Sequence, residues 1–152
     1  MKSLGLLYVA TGHKCLSECI HNARVSRSSN PNLPISVITD LIDSALTSGV
    51  FDIVRKHKSP CYSYRDKISG LLDLPFEATL FLDSDACIVR PLNLFFDIAS
   101  TFDISAVQAP VRFPTGWIDR QVPEFFPELN TGVVLFKRST LQVEFIKCWL
   151  SL

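Results

Sequence analysis

Two carboxylates directly follow one of the most apolar segments of the sequence. Ala78 to Leu82 has the composition of a buried strand and continues into Asp83, Ser84 and Asp85. Residues two apart in an extended chain point to the same side, so both carboxylates can reach one cation. Mn²⁺ and Mg²⁺ prefer such oxygens, and a metal ion there could hold a diphosphate and stabilise its charge as it leaves. The alternative is an Asx turn, in which both carboxylates bond only to the local backbone.

A second group of residues has the side chains of a zinc site: His13, Cys15, Cys19 and His21. Cys15 and Cys19 share one face of a predicted helix, whereas His21 is rotated well away from that face. Four tetrahedral ligands from one short helical stretch would be strained, so we interpret the cysteines as small buried hydrophobes. A Cys–His nucleophile pair stays open as an alternative, although nothing marks one cysteine as activated.

Strand and helix patterns alternate along the chain and must position these groups. The predicted strands are Leu4 to Ala10, Ile35 to Thr39, Phe51 to Val54, Ala78 to Leu82, Ile104 to Val107 and Gly132 to Phe136. Three helices are predicted before the last strands. The first has Leu16, Ile20 and Ala23 on one face, the second runs from Leu41 to Ser48 and the third from Tyr64 to Leu72. The alternation predicts an α/β, Rossmann-like, mostly parallel sheet with helices on both faces. Ligands of such sheets usually bind beyond the carboxyl ends of the strands.

Two further segments lie towards the end of the sequence. The proline-rich stretch from Pro110 to Pro127 is predicted to form a long ordered loop over one end of the sheet. Ser139 and Gln142 have the spacing of a capping box at the start of a last helix. One face of that helix is apolar up to the final residue, with Leu141, Phe145, Cys148, Trp149 and Leu152. We therefore expect residues 1–152 to form a single domain that is incomplete at its C-terminus, or whose last helix a partner covers.

Composition limits the classes of function. Lys plus Arg and Asp plus Glu both count 15 in 152 residues, and this zero net charge argues against nucleic-acid binding. The apolar run from Leu4 to Ala10 is too short to cross a bilayer and is a poor match to a signal peptide. Five cysteines are an odd number, which together with the lack of a secretory signal predicts reduced thiols in a cytoplasmic protein.

Four separated elements occur in an order that resembles a known family. They are Tyr8-Val9-Ala10-Thr11-Gly12, Leu33-Pro34-Ile35 before a strand ending at Thr39-Asp40, Lys67 upstream of Leu82-Asp83-Ser84-Asp85, and Leu129-Asn130-Thr131-Gly132-Val133-Val134-Leu135-Phe136. The set resembles nucleotide-diphospho-sugar transferases of the GT-A fold, particularly the glycogenin and galactosyltransferase-like branch. The resemblance runs from about Leu4 to Trp149.

The resemblance implies a metal-dependent glycosyltransferase that moves a sugar from a nucleotide-diphosphate donor, UDP-linked, to an acceptor that the sequence does not identify. It implies Mn²⁺ or Mg²⁺ as the cofactor. The implied roles are uridine binding by Ala10 and Thr11, phosphate binding by Lys67, ribose contact by the backbone at Ser84, donor-sugar binding by Asn130 and Thr131, and metal binding by Asp83 and Asp85. The structural alternatives are a solvated helix charge at Lys67 and turn chemistry at Asn130 and Thr131.

The sequence also departs from the family pattern. At Cys15 the family commonly has an aromatic ring that stacks on uracil, and family members continue into a segment that supplies an acidic residue, a glutamine and a metal-binding histidine. The glycogenin branch suggests retention at the sugar carbon. Two other functions stay open: a haloacid-dehalogenase-type phosphatase that uses the same two carboxylates, and a catalytically inactive domain that binds the donor or a partner.

Overall fold

The computed structural model describes residues 3–92, 94–109 and 128–152. The predicted proline-rich loop, from Pro110 to Pro127, lies outside these ranges. The elements in chain order are β1 (Leu4–Val9), α1 (Gly12–Ser29), β2 (Ile35–Thr39), α2 (Ile42–Thr47), β3 (Ile53–Lys56), α3 (Tyr64–Gly70), β4 (Ala78–Leu82), a 3₁₀ helix (Phe95–Ser100), β5 (Ile104–Gln108), β6 (Leu129–Lys137) and α4 (Thr140–Ser151).

The strands form one sheet in the order β3-β2-β1-β4-β6-β5. β1 to β4 are parallel to one another, and β6 is antiparallel to both of its neighbours. Leu82 at the end of β4 pairs with Val133 near the start of β6. The first residues of β6 therefore lie at the same edge of the sheet as the carboxyl end of β4. The mixed α/β sheet confirms the predicted fold class.

Two apolar clusters cover the two faces of the sheet, so β4 is buried along its whole length and β1 is buried after Leu4. On one face, α1 packs through Leu16, Cys19 and Ala23 against β1 and β4. On the other face, Ile68 of α3 and Ile146 of α4 pack against the opposite side of the same strands. The prediction of helices on both faces is confirmed.

Two strands begin at a different residue from the one predicted from the sequence. β3 begins at Ile53 and not at Phe51, because Asp52 lies across the start of β2, where its carboxylate accepts a hydrogen bond from the backbone N–H of Ile35 at 2.7 Å. β6 begins at Leu129 and not at Gly132, because β5 pairs with its first residues after a shift in register. Asn130 and Thr131 consequently lie within a strand and not in a preceding loop.

Helix α4 buries a different face from the one predicted. Ser139 caps it, since its hydroxyl oxygen accepts a hydrogen bond from the backbone N–H of Gln142 at 3.1 Å. The Gln142 side chain does not complete a capping box; its amide is buried and donates to the carbonyl of Leu71 at 2.7 Å. This contact turns Leu141 and Phe145 outward, where they are 55% and 42% exposed. Of the predicted apolar face, only Trp149 packs against the core.

The residues considered for zinc do not form a site. Cys19 is fully buried, and burial raises the pKa of its thiol. His13 and His21 are exposed on the surface of α1. Across residues 3–92, 94–109 and 128–152 there is no group of three His, Cys, Asp or Glu side chains that could hold a metal ion. Within the same ranges, no helix has both the length and the apolar character needed to cross a membrane.

Candidate functional site

The turn that follows β4 lies at the carboxyl edge of the sheet. The backbone N–H of Asp83 donates to the carbonyl of Gly132 at 2.8 Å, and the side chain of Asn22 donates to the carbonyl of Ser84 at 2.8 Å. These contacts tie the turn to β6 and to α1. Among the described residues, the Asp83 and Asp85 carboxylates accept no hydrogen bond from the local backbone, so the Asx-turn interpretation does not describe them.

Lys67 is the partner of the first carboxylate. Its Nζ lies 3.0 Å and 3.2 Å from the two oxygens of Asp83. The two side chains are 22% and 33% exposed, so the ion pair is partly shielded from solvent. α3 projects this lysine over the end of β4, and Lys67 is therefore not a solvated helix charge.

Gly132 provides the space in which the Asp83 carboxylate lies. A Cβ at this glycine would lie 2.6 Å from Oδ2 of Asp83 and 3.1 Å from Oδ1 of Asn130. The same Asn130 oxygen accepts a hydrogen bond from the backbone N–H of Gly132 at 2.8 Å. The Asn-Thr-Gly sequence thus packs β6 directly against the carboxylate.

A buried carboxylate organises the loop before α3. Asp66 is 3% exposed and accepts hydrogen bonds from the Thr11 hydroxyl at 2.7 Å, from the Cys61 thiol and backbone at 2.9 Å each, and from the backbone N–H of Tyr62 at 2.8 Å. Burial alone would raise the pKa of Asp66, but these donors outweigh it and lower the pKa to about 2. The ionised carboxylate fixes this loop against the end of β1.

A second carboxylate joins the end of β2 to the same loop. Asp40 accepts a hydrogen bond from the backbone N–H of Gly12 at 2.9 Å and another from the Tyr62 hydroxyl at 3.2 Å. Gly12 has a φ of 78°, a left-handed conformation that glycine adopts without strain. The bond to Asp40 raises the pKa of the Tyr62 phenol.

These elements enclose a cavity of about 350 Å³ at the carboxyl edge, called the carboxyl-edge cavity below. Its wall includes five of the eight residues singled out from the sequence: Thr11, Lys67, Asp83, Ser84 and Asp85. The side chain of Ala10 is fully buried in the first apolar cluster and does not reach the cavity. Asn130 and Thr131 are exposed on β6 outside its wall, and Asn130 is connected to the site through Gly132.

Sequence reasoning missed Asp66, Tyr62 and Tyr64, which also line the carboxyl-edge cavity. The only local signal was the run of polar and aromatic residues from Cys61 to Tyr64, just before a predicted helix. A larger cleft of about 470 Å³ lies at the opposite edge, near Leu4 and Asn30, but none of its lining residues is ionisable. The carboxyl-edge cavity brings the carboxylates of Asp83 and Asp85 together with the Lys67 ammonium, and these are side chains that metal or phosphate chemistry can use.

Asp83 and Asp85 are the side chains in this cavity that could hold a hard divalent cation. Asp66 and Cys15 also line the cavity, but Asp66 accepts the hydrogen bonds of its own loop. The described residues contain no group of three His, Cys, Asp or Glu side chains that could hold a metal ion. The donor set consists of oxygens only, and it fits Mg²⁺ or Mn²⁺ that keeps waters and phosphate oxygens as further ligands. The Lys67 ammonium already lies on Asp83, which shows that a positive charge is accommodated there.

The sequence matches no protein-family model and no curated protein. Solved structures of glycosyltransferases do have a similar fold. The galactosyltransferase LgtC, in complex with donor and acceptor sugar analogues, is 13% identical with a TM-score of 0.57, covering 94% of this chain and 59% of its own. The glycosyltransferase GlyE of Streptococcus pneumoniae TIGR4 is 16% identical with a TM-score of 0.63, covering 98% of this chain and 37% of its own.

The chain thus spans about three fifths of the length of LgtC and less than that of GlyE. At these identities the comparison establishes the fold. The chain has a GT-A-like, glycosyltransferase-type α/β fold.

Proposed function

We propose that this chain contains the donor-binding part of a metal-dependent glycosyltransferase. Its substrate would be a nucleotide-diphosphate sugar, UDP-linked, and its acceptor a glycan, protein or small molecule. The observation that carries the proposal is the carboxyl-edge cavity, where Asp83 and Asp85 follow the central strand β4 and Lys67 contacts Asp83 at 3.0 Å. A cavity with two carboxylates and an ammonium suits a metal-bound diphosphate.

In this proposal Asp83 and Asp85 hold Mn²⁺ or Mg²⁺. The metal ion would supply a Lewis acid for the departing diphosphate. Lys67 would leave Asp83 and bind a phosphate oxygen, a contact for which a compact ammonium is suited. The turn at Ser84 is anchored to α1 by Asn22 and would present its backbone to the ribose.

The donor sugar would lie towards β6, near Asn130 and Thr131. Asn130 already uses Oδ1 to accept from Gly132, so its amide Nδ2 is the group left to donate to a sugar hydroxyl. The Thr11 hydroxyl is occupied by Asp66, and its role would be to hold the end of β1 beside the base. Ala10 could contribute only through its backbone, because its side chain is buried.

The likeness to LgtC and GlyE supports the proposal at the level of fold. A glycogenin-like or galactosyltransferase-like branch, and retention at the sugar carbon, belong to the proposal. The proposal also includes the expectation that most acceptor-binding residues lie outside this donor-binding part. The exposed Leu141 and Phe145 on α4 favour a second candidate, an inactive donor-binding domain whose last helix a partner covers.

The experiment is a calorimetric titration with UDP, first with Mn²⁺ and then with the metal chelated. The proposal predicts binding only with Mn²⁺, and loss of that binding in Asp85→Asn, which removes one charged metal ligand. Asp97→Asn is the matched control, because Asp97 is an exposed aspartate on the 3₁₀ helix outside the cavity.

Equal binding of UDP by the wild-type chain and Asp85→Asn in Mn²⁺ would contradict the metal assignment. Turnover of UDP-sugars would separate an enzyme from the inactive domain. A phosphoenzyme trapped with beryllium fluoride would favour the phosphatase alternative.

A further inference from the structure

Tyr62 has a strained backbone at the mouth of the carboxyl-edge cavity. Its φ is 54°, and it is the one non-glycine residue with positive φ in the described part of the chain. A left-handed conformation is unfavourable for a residue with a Cβ. Such strain persists where the surroundings impose it, and it often occurs at ligand sites.

Three contacts hold Tyr62 in this conformation. Its backbone N–H donates to Asp66 at 2.8 Å, and its hydroxyl donates to Asp40 at 3.2 Å. Its ring carbons Cδ1 and Cε1 lie 3.5 Å and 3.7 Å from the position that a Cβ of Gly12 would occupy. One side of the ring is therefore fixed over the glycine at the start of α1.

The remaining surface of the ring is open. Tyr62 is 67% exposed although both its ends are anchored, and it lines the same cavity as Lys67, Asp83 and Asp85. An ordered, exposed aromatic ring offers a flat apolar surface. Because the side chain is already fixed, little of its conformational entropy is lost when a ligand binds. The ring lies beside groups that suit a metal-bound diphosphate. The part of a nucleotide that would fit its flat surface is the planar aromatic base.

We infer that Tyr62 is the platform on which the base of the donor nucleotide stacks, with Asp66 and Asp40 holding the ring in place. The inference rests on the proposed function and adds a residue to it. Cys15 lines the same cavity but has no ring, so it cannot provide this surface. Tyr64 is also exposed in the wall, yet among the described residues its hydroxyl has no hydrogen-bond partner, so its ring is not held in the same way.

Tyr62→Gly removes the ring without breaking the loop. Glycine accepts the positive φ without strain and keeps the N–H that Asp66 binds. Tyr62→Phe keeps the ring and loses only the bond to Asp40. The probes are UDP and inorganic pyrophosphate, each titrated calorimetrically with Mn²⁺, because pyrophosphate has the phosphates and no base.

For Tyr62→Gly we expect the affinity for UDP to fall by about 5-fold to 150-fold, the range for one stacked base. Its affinity for pyrophosphate should stay at the wild-type value, and Tyr62→Phe should lose less than about 5-fold for UDP, because it keeps the stacking ring. Wild-type affinity for UDP in Tyr62→Gly would overturn the inference while leaving the proposed function standing. A loss in Tyr64→Ala that Tyr62→Gly lacks would also overturn it. If the wild-type chain binds pyrophosphate but not UDP, or neither ligand, the proposed function fails and the inference fails with it.

Discussion

Replacing Lys67 with methionine removes the charge that lies 3.0 Å from Asp83 while keeping a side chain of similar length. In the proposed site this ammonium and the metal ion compete for the same carboxylate before the donor binds. In the same proposal, the ammonium would neutralise a phosphate once the donor is bound. The substitution should therefore strengthen the binding of Mn²⁺ alone and weaken the binding of UDP in the presence of Mn²⁺.

The size of the first effect follows from the partial exposure of the pair. Unit charges 4 Å apart interact by about 1 kcal/mol in water and about 4 kcal/mol at an effective dielectric constant near 20. The two side chains are 22% and 33% exposed, and the ammonium can move away from an incoming ion. We therefore expect a gain of about 1–2 kcal/mol, or about 5-fold to 30-fold tighter Mn²⁺ binding.

The second effect is the loss of a charge-assisted hydrogen bond to phosphate. Such bonds contribute about 1.5–3 kcal/mol, so the affinity for UDP should fall about 10-fold or more. The free energy of unfolding should fall by less than about 1 kcal/mol, as for other partly exposed ion pairs. General damage to the fold would weaken the binding of both Mn²⁺ and UDP. Tighter Mn²⁺ binding together with weaker UDP binding therefore identifies the mechanism.

The assay is calorimetric titration of Mn²⁺ alone, and of UDP at saturating Mn²⁺, with Lys147→Met as the matched control. Lys147 is an exposed lysine on α4, away from the carboxyl-edge cavity. If Lys67→Met leaves both affinities at the wild-type values, Lys67 has no role in the site. If Lys67→Met weakens Mn²⁺ binding, the Lys67 ammonium and the metal ion do not compete for Asp83.

Two further predictions concern the groups that support the cavity. The pKa of Asp66 is lowered to about 2 in the folded chain, so its stabilising contribution is complete above its unfolded pKa near 4 and is lost as the pH falls towards 2. Asp66→Asn should lower the free energy of unfolding at neutral pH by about 2 kcal/mol, as measured by urea unfolding. It should also flatten the pH dependence of that free energy between about pH 4 and pH 2. An unchanged pH dependence would show that Asp66 is not the group whose lowered pKa stabilises the fold. Gly132→Ala should displace the Asp83 carboxylate, because the new Cβ would lie 2.6 Å from its Oδ2. The atoms that this Cβ would meet are side-chain ends that can move, so we expect thermal unfolding to show a loss of stability below about 1 kcal/mol. The affinity for Mn²⁺ should fall about 10-fold. An unchanged Mn²⁺ affinity would show that Gly132 does not shape the site.

The parts of the fold that could be predicted are those with local signals. β4 runs over the predicted residues from Ala78 to Leu82, because a short segment that is apolar except for Thr79 is typical of a strand buried on both faces of an α/β sheet. The two carboxylates follow at the edge where parallel strands end, so their position at a cavity followed from the strand itself. The helix α3 begins at the predicted Tyr64, because Ser63 caps it by accepting a hydrogen bond from the backbone N–H of Arg65.

The rest depends on contacts between distant parts of the chain. Asp66 meets Thr11 across 55 residues, and nothing near either residue in the sequence identifies its partner. The buried face of α4 was predicted wrongly, since a hydrophobic pattern assigns Gln142 to solvent and only the carbonyl of Leu71 makes its burial favourable. The reversed direction of β6, which brings Gly132 against Asp83, is equally a property of the assembled sheet.

A crystal structure of the chain with Mn²⁺ and UDP, with the metal located by its anomalous scattering, would test the proposed metal and donor site directly. We expect a manganese peak coordinated by carboxylate oxygens of Asp83 and Asp85 and by the diphosphate, with Lys67 moved from Asp83 to a phosphate oxygen. A nucleotide bound in the cleft near Leu4 and Asn30, or a metal ion away from Asp83 and Asp85, would contradict the proposal.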